Sequence, residues 1–143
     1  MLSDQRREML TALKEVVIPV LRRQGFKGSL NHFRRRNKNN IDLITFQFNK
    51  WGGSFIVELA VCPKEGTTMI WGKEILPNKV TAHHMNNRYR LGSKSIDQDG
   101  IWFDYENAVT KEDYQKVAER MLKLLNTADV GWLSSLFKRF FPS

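Results

Sequence analysis

The sequence predicts an α+β domain, with an antiparallel sheet of four to five strands and with N-terminal and C-terminal helices packed on one face. Apolar residues recur at three- and four-residue intervals near both ends of the chain, as in amphipathic helices. In the middle they alternate with polar residues, as in strands with one buried face. Turn-forming glycines and prolines separate these segments, which is typical of an antiparallel meander.

The first helix is predicted over residues 4–24. Leu13 and Leu21 belong to its apolar stripe. Pro19 lacks an amide hydrogen and crowds the preceding turn, so we expect a kink there. Gly25 suits the left-handed position that follows a helix, because glycine has no side chain to clash in that conformation. The helix is therefore expected to end at this glycine.

The strands are predicted to begin with residues 29–36, followed by a polar turn. Segments 41–49 and 54–62 form the most strongly predicted hairpin, because each alternates and the glycines after Trp51 favour a tight turn. Cys62, at the end of this hairpin, is expected to be a small buried residue. The expected buried face consists of Ile44, Phe46, Phe48, Phe55, Val57, Leu59 and Val61.

The second half of the chain is expected to start with an irregular excursion over residues 64–87. Residues 88–91 and 101–105 are predicted to pair as a second hairpin. A second helix is predicted over residues 111–126 and a short third helix over residues 130–140. We assign residues 1–128 to a single domain and residues 129–143 to an amphipathic C-terminal helical tail.

Length and composition narrow the class of protein. The chain has 143 residues, 23 Lys+Arg against 15 Asp+Glu, and a formal net charge of +8. It shows no apolar run as long as a membrane span and no signal-peptide pattern, and its single cysteine is typical of a reducing compartment. We therefore expect a cytoplasmic protein for which membrane contact is not favoured. Without a catalytic fingerprint or metal-ligand spacing, we predict no enzyme activity, no cofactor and no metal.

Several segments carry a family resemblance. Residues 16–26 read VVIPVLRRQGF, and later segments read NHFRR, FQFNKW, SFIVEL, RYRLG and IWF. Together they resemble the bacterial domain-of-unknown-function family 4304. The resemblance covers about residues 5–126 and leaves residues 132–141 outside it. It implies a fold and a bacterial source, and it implies no catalytic residues.

Positive charge is concentrated in two intervals without acidic residues, 22–38 and 79–94. Nucleic-acid binding through phosphate contacts is one interpretation, because arginine binds phosphate oxygens in pairs. A solvated face, or a surface for another partner, is the other interpretation. Neighbouring strand residues point to opposite faces, so the arginines at 34–36 cannot all share one face.

Residues 97–106 form an acidic segment next to the second basic interval. If the second hairpin forms, Arg88 and Arg90 share a sheet face and pair with Asp104 or Glu106. The alternative is an arginine-lined site for an acidic ligand.

Two aromatic features could contact partners. Trp51 is expected to be exposed at a hairpin tip. The tail around Trp132 either covers the sheet or the first helix, packs against a second copy as a homodimer, or lies at a membrane interface.

The function we predict is a non-catalytic protein-binding domain, similar in size to immunity-like, toxin-neutralising proteins; the alternative is nucleic-acid binding. The candidate binding residues are Arg22, Arg23, Arg34, Arg35, Arg36, Trp51, Arg88 and Arg90.

Overall fold

The computed structural model describes residues 3–92 and 100–140, except for the side chains of residues 128–140. The chain opens with helices α1 (Asp4–Val16) and α2 (Ile18–Arg23), which meet at Val17. Pro19 is in the first turn of α2, where its missing amide hydrogen costs least, so the expected kink is confirmed as a break.

Gly25 closes α2 as predicted. Its φ is +93°, and its amide donates to the carbonyl of Arg22 at 3.1 Å. The amide of Phe26 donates to the carbonyl of Leu21 at 2.9 Å. This pair of hydrogen bonds defines a Schellman ending and turns the chain into the first strand.

Eight strands follow in the described part of the chain: β1 (Lys27–Ser29), β2 (His32–Arg36), β3 (Asn40–Phe48), β4 (Ser54–Pro63), β5 (Thr67–Thr68), β6 (Glu74–Ile75), β7 (Tyr89–Arg90) and β8 (Phe103–Asp104). Strands β1 to β4 form an antiparallel meander, β7 and β8 pair with the outer edge of β4, and β5 pairs with β6 in a separate hairpin. The predicted α+β class and antiparallel sheet are confirmed. The predicted hairpin is β3–β4, with Phe48 opposite Phe55.

The predicted first strand is in fact two strands, β1 and β2. The chain reverses between them, so Lys27 lies opposite Arg34. Gly28 permits this close return, because a Cβ atom there would lie 2.3 Å from the carbonyl oxygen of His32. Its φ of +119° also favours glycine.

The predicted second hairpin is wrong. Both β7 and β8 run antiparallel to β4, so they are parallel to each other and lie in succession along its edge. Arg90 lies opposite Glu58, and Phe103 lies opposite Phe55. The ten-residue length of β4 leaves space for both strands. The ring of Phe103 stacks on that of Phe55 with centroids 5.2 Å apart, which positions β8 near the start of β4.

The sheet is covered on both faces. The first face packs against the helices, and its buried residues include the seven predicted from alternation. On the second face, Leu43 and Ala60 pack under Val80 and Ala82 from the excursion over residues 64–87. This excursion contains β5, β6 and a single 3₁₀ turn, Ala82–His84. Strands buried on both faces are apolar at almost every position, as β4 is.

The last helix, α3, runs from Lys111 to Phe140 as one element. The predicted separation into helices 111–126 and 130–140 is therefore wrong. Gly131 weakens the helix near this point by about 1 kcal/mol, which a long helix tolerates. The side chains of residues 128–140 and all of residues 141–143 lie outside the described part of the chain. The contacts predicted for the tail around Trp132 depend on these side chains. Among the residues described, no helix combines the length and the apolar character needed to cross a membrane.

Candidate functional site

A row of polar side chains crosses the second face of the sheet. His32, Thr45, Glu58 and Arg90 occupy register positions opposite one another on β2, β3, β4 and β7. Residues opposite one another across antiparallel strands are side-chain neighbours. His32 Nδ1 lies 3.1 Å from Thr45 Oγ1, and the amide of Ala82 donates to the same oxygen at 3.2 Å. The row therefore attaches the 3₁₀ turn to the sheet.

Glu58 is the charged centre of this row, and it is only 1% exposed. Its Oε2 lies 2.9 Å from Arg88 Nε and 3.9 Å from Arg90 Nε, and its Oε1 lies 3.2 Å from His83 Nδ1. Arg88 also donates to the carbonyl of His83 at 3.0 Å. A buried carboxylate needs such partners, because an isolated buried charge is strongly destabilising.

The expected pairing of Arg88 and Arg90 with Asp104 or Glu106 is therefore wrong. Register explains the difference, because β7 meets β4 at Glu58 whereas Asp104 lies opposite Ser54. Asp104 instead accepts the amide of Glu106 at 2.7 Å. Residues 93–99, with the acidic positions Asp97 and Asp99, lie outside the described residues.

The histidines around the row differ in their surroundings. Burial lowers the pKa of His32 below its ordinary value, and the nearby His83 and Arg34 lower it further. Burial also lowers the pKa of His84, and His84 Nδ1 accepts the amide hydrogen of Thr81 at 2.9 Å. Within the described residues, no group of three or more histidine, cysteine or acidic side chains could hold a metal ion.

Two arginines of the first basic interval are used within the fold. Arg22 Nη2 donates to the carbonyl of Gly28 at 2.6 Å. Arg35 Nε donates to the carboxylate of Asp42 at 2.8 Å, and Asp42 is fully buried. Arg35 Nη1 also donates to the carbonyl of Gln24 at 3.2 Å. Arg22 and Arg35, two of the predicted binding residues, therefore stabilise the junction between α2 and the sheet.

Lys27, Arg34 and Arg36 line a groove of about 450 Å³, which we call the basic groove; Gly25, Gly28, Pro77 and Asn78 complete its lining. Arg34 Nε donates to the carbonyl of Val80, so the two basic intervals meet here. Arg23 is exposed on α2 and is not among the lining residues.

Large apolar side chains project from two hairpin turns. Trp51, in the β3–β4 turn, is 85% exposed, as expected. Ile70 and Trp71, in the β5–β6 turn, are 98% and 70% exposed, and Leu76, which follows β6, is 59% exposed. We call Ile70 and Trp71 the hairpin tip. The hairpin tip is not among the residues predicted from the sequence, although Trp71 precedes a glycine as Trp51 does, and this pattern predicts an exposed ring at a turn.

Comparison with known families identifies the domain. A family model described as Domain of unknown function (DUF4304) matches residues 17–135. The chain belongs to this family. The DUF4304 match confirms the expected family, although it begins later than the expected residue 5 and extends past the expected residue 126 to residue 135, into the segment 132–141 that was expected to lie outside it. No curated protein and no solved structure matches the chain.

The basic groove, Glu58 and the hairpin tip all lie within the DUF4304 match, whereas α1 precedes it. Cys62 lies there as well, fully buried as expected. Burial raises the pKa of its thiol to about 11. A thiol in this state is a poor nucleophile, because the thiolate is the reactive form. Cys62 is therefore not an activated cysteine.

Proposed function

We propose that this DUF4304 domain is a non-catalytic protein-binding domain that docks a partner protein through the hairpin tip. The exposure of Ile70 (98%) and Trp71 (70%) supports the proposal. Large aromatic and aliphatic side chains that project together from a soluble domain are typical of interface anchors. Basic residues elsewhere on the surface add long-range attraction to an acidic partner.

The turn that carries the hairpin tip is well ordered by its own hydrogen bonds. The amide of Met69 donates to the carbonyl of Lys73 at 2.8 Å, and the amide of Gly72 donates to that of Met69 at 2.8 Å. Next to the turn, Ile75 is buried among the apolar residues on the second face of the sheet, and Met69 packs against the same residues. A preformed turn loses less conformational entropy on binding, which favours affinity.

The size of the effect on binding follows from burial of the two side chains of the hairpin tip. Transfer of one such side chain out of water contributes about 1.5–3 kcal/mol, so Ile70 and Trp71 together contribute about 4 kcal/mol. That free energy corresponds to about a thousandfold in the dissociation constant.

We further propose that the domain acts in the cytoplasm of a bacterium, in the manner of small toxin-neutralising proteins. The resemblance of segments such as VVIPVLRRQGF to a bacterial family supports the bacterial source, and the single buried Cys62 supports a reducing compartment. The immunity-like role is supported by similarity of size and style alone.

Site-specific photo-crosslinking tests the proposal. A photoreactive amino acid replaces Trp71 in one variant and Val109 in a matched control, because Val109 is an apolar residue that is 83% exposed outside the hairpin tip. In host cells we expect a defined protein adduct at position 71 that is absent at position 109.

The partner recovered in this way is then purified and titrated calorimetrically. We expect the double variant Ile70→Ser with Trp71→Ser to lose about a thousandfold in affinity, and Val109→Ser to change it by less than about twofold. Equal adducts at positions 71 and 109, or full affinity of the double variant, would contradict the proposal.

A further inference from the structure

We infer that the basic groove binds an oxyanion of the phosphate type, carried either by a small phosphorylated molecule or by a nucleic-acid backbone. The three cationic side chains that line it, Lys27, Arg34 and Arg36, come from the β1–β2 hairpin. This site is separate from the hairpin tip, and the inference does not depend on the proposed protein partner.

Strand register concentrates the charge. Lys27 lies directly opposite Arg34, and Arg36 follows two residues later on the same face. Like charges directly opposite each other on antiparallel strands destabilise the pair. Among the described residues that line the groove, none is acidic. A bound anion would remove this repulsion, and it would thereby stabilise the folded domain.

The acid nearest in sequence cannot supply that compensation. Asp42 is fully buried and lies 2.8 Å from Arg35 Nε. Its carboxylate also accepts hydrogen bonds from the side-chain amides of Asn37 at 2.7 Å and Asn40 at 3.0 Å. Arg35 and Asp42 thus neutralise each other on the first face, whereas Arg34 and Arg36 lie on the second.

Arg34 is held in a fixed position, which suits recognition. Its Nε donates to the carbonyl of Val80, so one edge of the guanidinium group is anchored to the excursion. Burial lowers the pKa of Arg34, in agreement with a guanidinium partly removed from water. Charge-assisted hydrogen bonds to an oxyanion are strong in such a setting, and the planar group can bind two oxygens.

The remaining lining fits a small charged group. Gly25 and Gly28 contribute no side chains, and Asn78 adds an amide group at the rim. The volume of about 450 Å³ is within the range of small-ligand sites. The groove therefore has space for a phosphate and for part of the group that carries it.

Calorimetric titration of the full chain with pyrophosphate, and separately with a single-stranded RNA of about ten nucleotides, tests the inference. We expect pyrophosphate to bind with one-to-one stoichiometry. Arg36→Gln is expected to weaken binding at least about tenfold, and Arg36→Lys is expected to weaken it less, because lysine keeps the charge but not the planar fork. Lys116→Gln is the matched control, because Lys116 is exposed on α3 and loses the same charge. Arg36 is exposed too, and circular dichroism checks that its variants fold.

The two probes distinguish the sources of the phosphate. A nucleic-acid backbone predicts that RNA binds more tightly than pyrophosphate, and that Arg36→Gln reduces the slope of log affinity against log salt by about one. A small phosphorylated ligand predicts that pyrophosphate binds more tightly and displaces the RNA. The inference is overturned if neither probe binds, or if Lys116→Gln weakens binding as much as Arg36→Gln.

Discussion

Replacement of Glu58 by glutamine measures how strongly the buried carboxylate attaches β7 and the 3₁₀ turn to the sheet. The substitution keeps the size of the side chain and removes its charge. Glu58 is 1% exposed, and Arg88 Nε lies 2.9 Å from its carboxylate. The variant therefore loses a charge-assisted contact at the centre of the polar row.

The exposure of the partners determines the magnitude. Removing one member of a fully buried ion pair costs about 3–5 kcal/mol. The side chains of Arg88 and Arg90 are 36% and 34% exposed, so water solvates them once the charge of Glu58 is gone. We therefore expect Glu58→Gln to lower the free energy of unfolding by about 2–3 kcal/mol. For 143 residues the unfolding entropy is about 0.3 kcal/mol/K, so the midpoint falls by about 7–10 °C.

Urea and thermal unfolding followed by circular dichroism measure this change. Glu119→Gln, at an exposed position on α3, serves as the control and is expected to stay within about 0.5 kcal/mol of the parent. Arg88→Gln is expected to cost more than Glu58→Gln, because it leaves a buried carboxylate with weaker compensation from His83 and Arg90. The reasoning is refuted if Glu58→Gln matches the parent, or if it costs more than Arg88→Gln.

Three further predictions concern other parts of the fold. The thiol of Cys62 is buried and its pKa is raised, so in the native protein at about pH 8 it is expected to resist an aromatic disulfide reagent. In guanidinium it is expected to react fully, as followed by absorbance. Rapid reaction of the native protein would contradict this prediction. Gly66→Ala would place a Cβ atom 2.1 Å from the carbonyl oxygen of Ile75, so it is expected to cost about 2–3 kcal/mol in urea unfolding. Gly72→Ala meets no atom within 4 Å and is expected to cost only about 1 kcal/mol, so equal losses would contradict the steric argument. The pKa of His32 is lower in the folded protein than its ordinary value of 6.5 in the unfolded chain. As the pH drops through 6.5, His32 is therefore protonated in the unfolded chain before it is protonated in the folded protein, and the free energy of unfolding should fall. His32→Gln should reduce that dependence in urea titrations at several pH values, and an unchanged dependence would show that His32 does not cause it.

Features with local causes could be predicted from the sequence. Pro19 and Gly25 act on the residues next to them, and the break and the Schellman ending follow directly. The β3–β4 hairpin was predictable for the same reason, because alternation and the two glycines after Trp51 specify its register together.

Features that depend on distant contacts were not predictable in the same way. Strands β7 and β8 could form a hairpin with each other or lie in succession along β4. The length of β4 decides between these arrangements, and the sequence pattern of residues 88–105 carries no information about that length. Cover of the second face by residues 64–87 is likewise non-local. One signal was nevertheless present: Glu58 is the only charged residue in the apolar segment 54–62. A lone acid in a strand of this kind indicates a buried carboxylate with basic partners.

The two buried acids also change the meaning of the net charge. Asp42 pairs with Arg35, and Glu58 pairs with Arg88, so at least one arginine from each basic interval is part of the internal structure. The charge that remains on the surface in the first interval includes Arg36, at the basic groove. A count of basic residues therefore overestimates the surface available to an anion. If the groove is the binding site, the affinity for an anion should change when Arg36 is substituted and should not depend on the total charge of +8 alone. Diffuse attraction would instead weaken equally on removal of any exposed lysine or arginine.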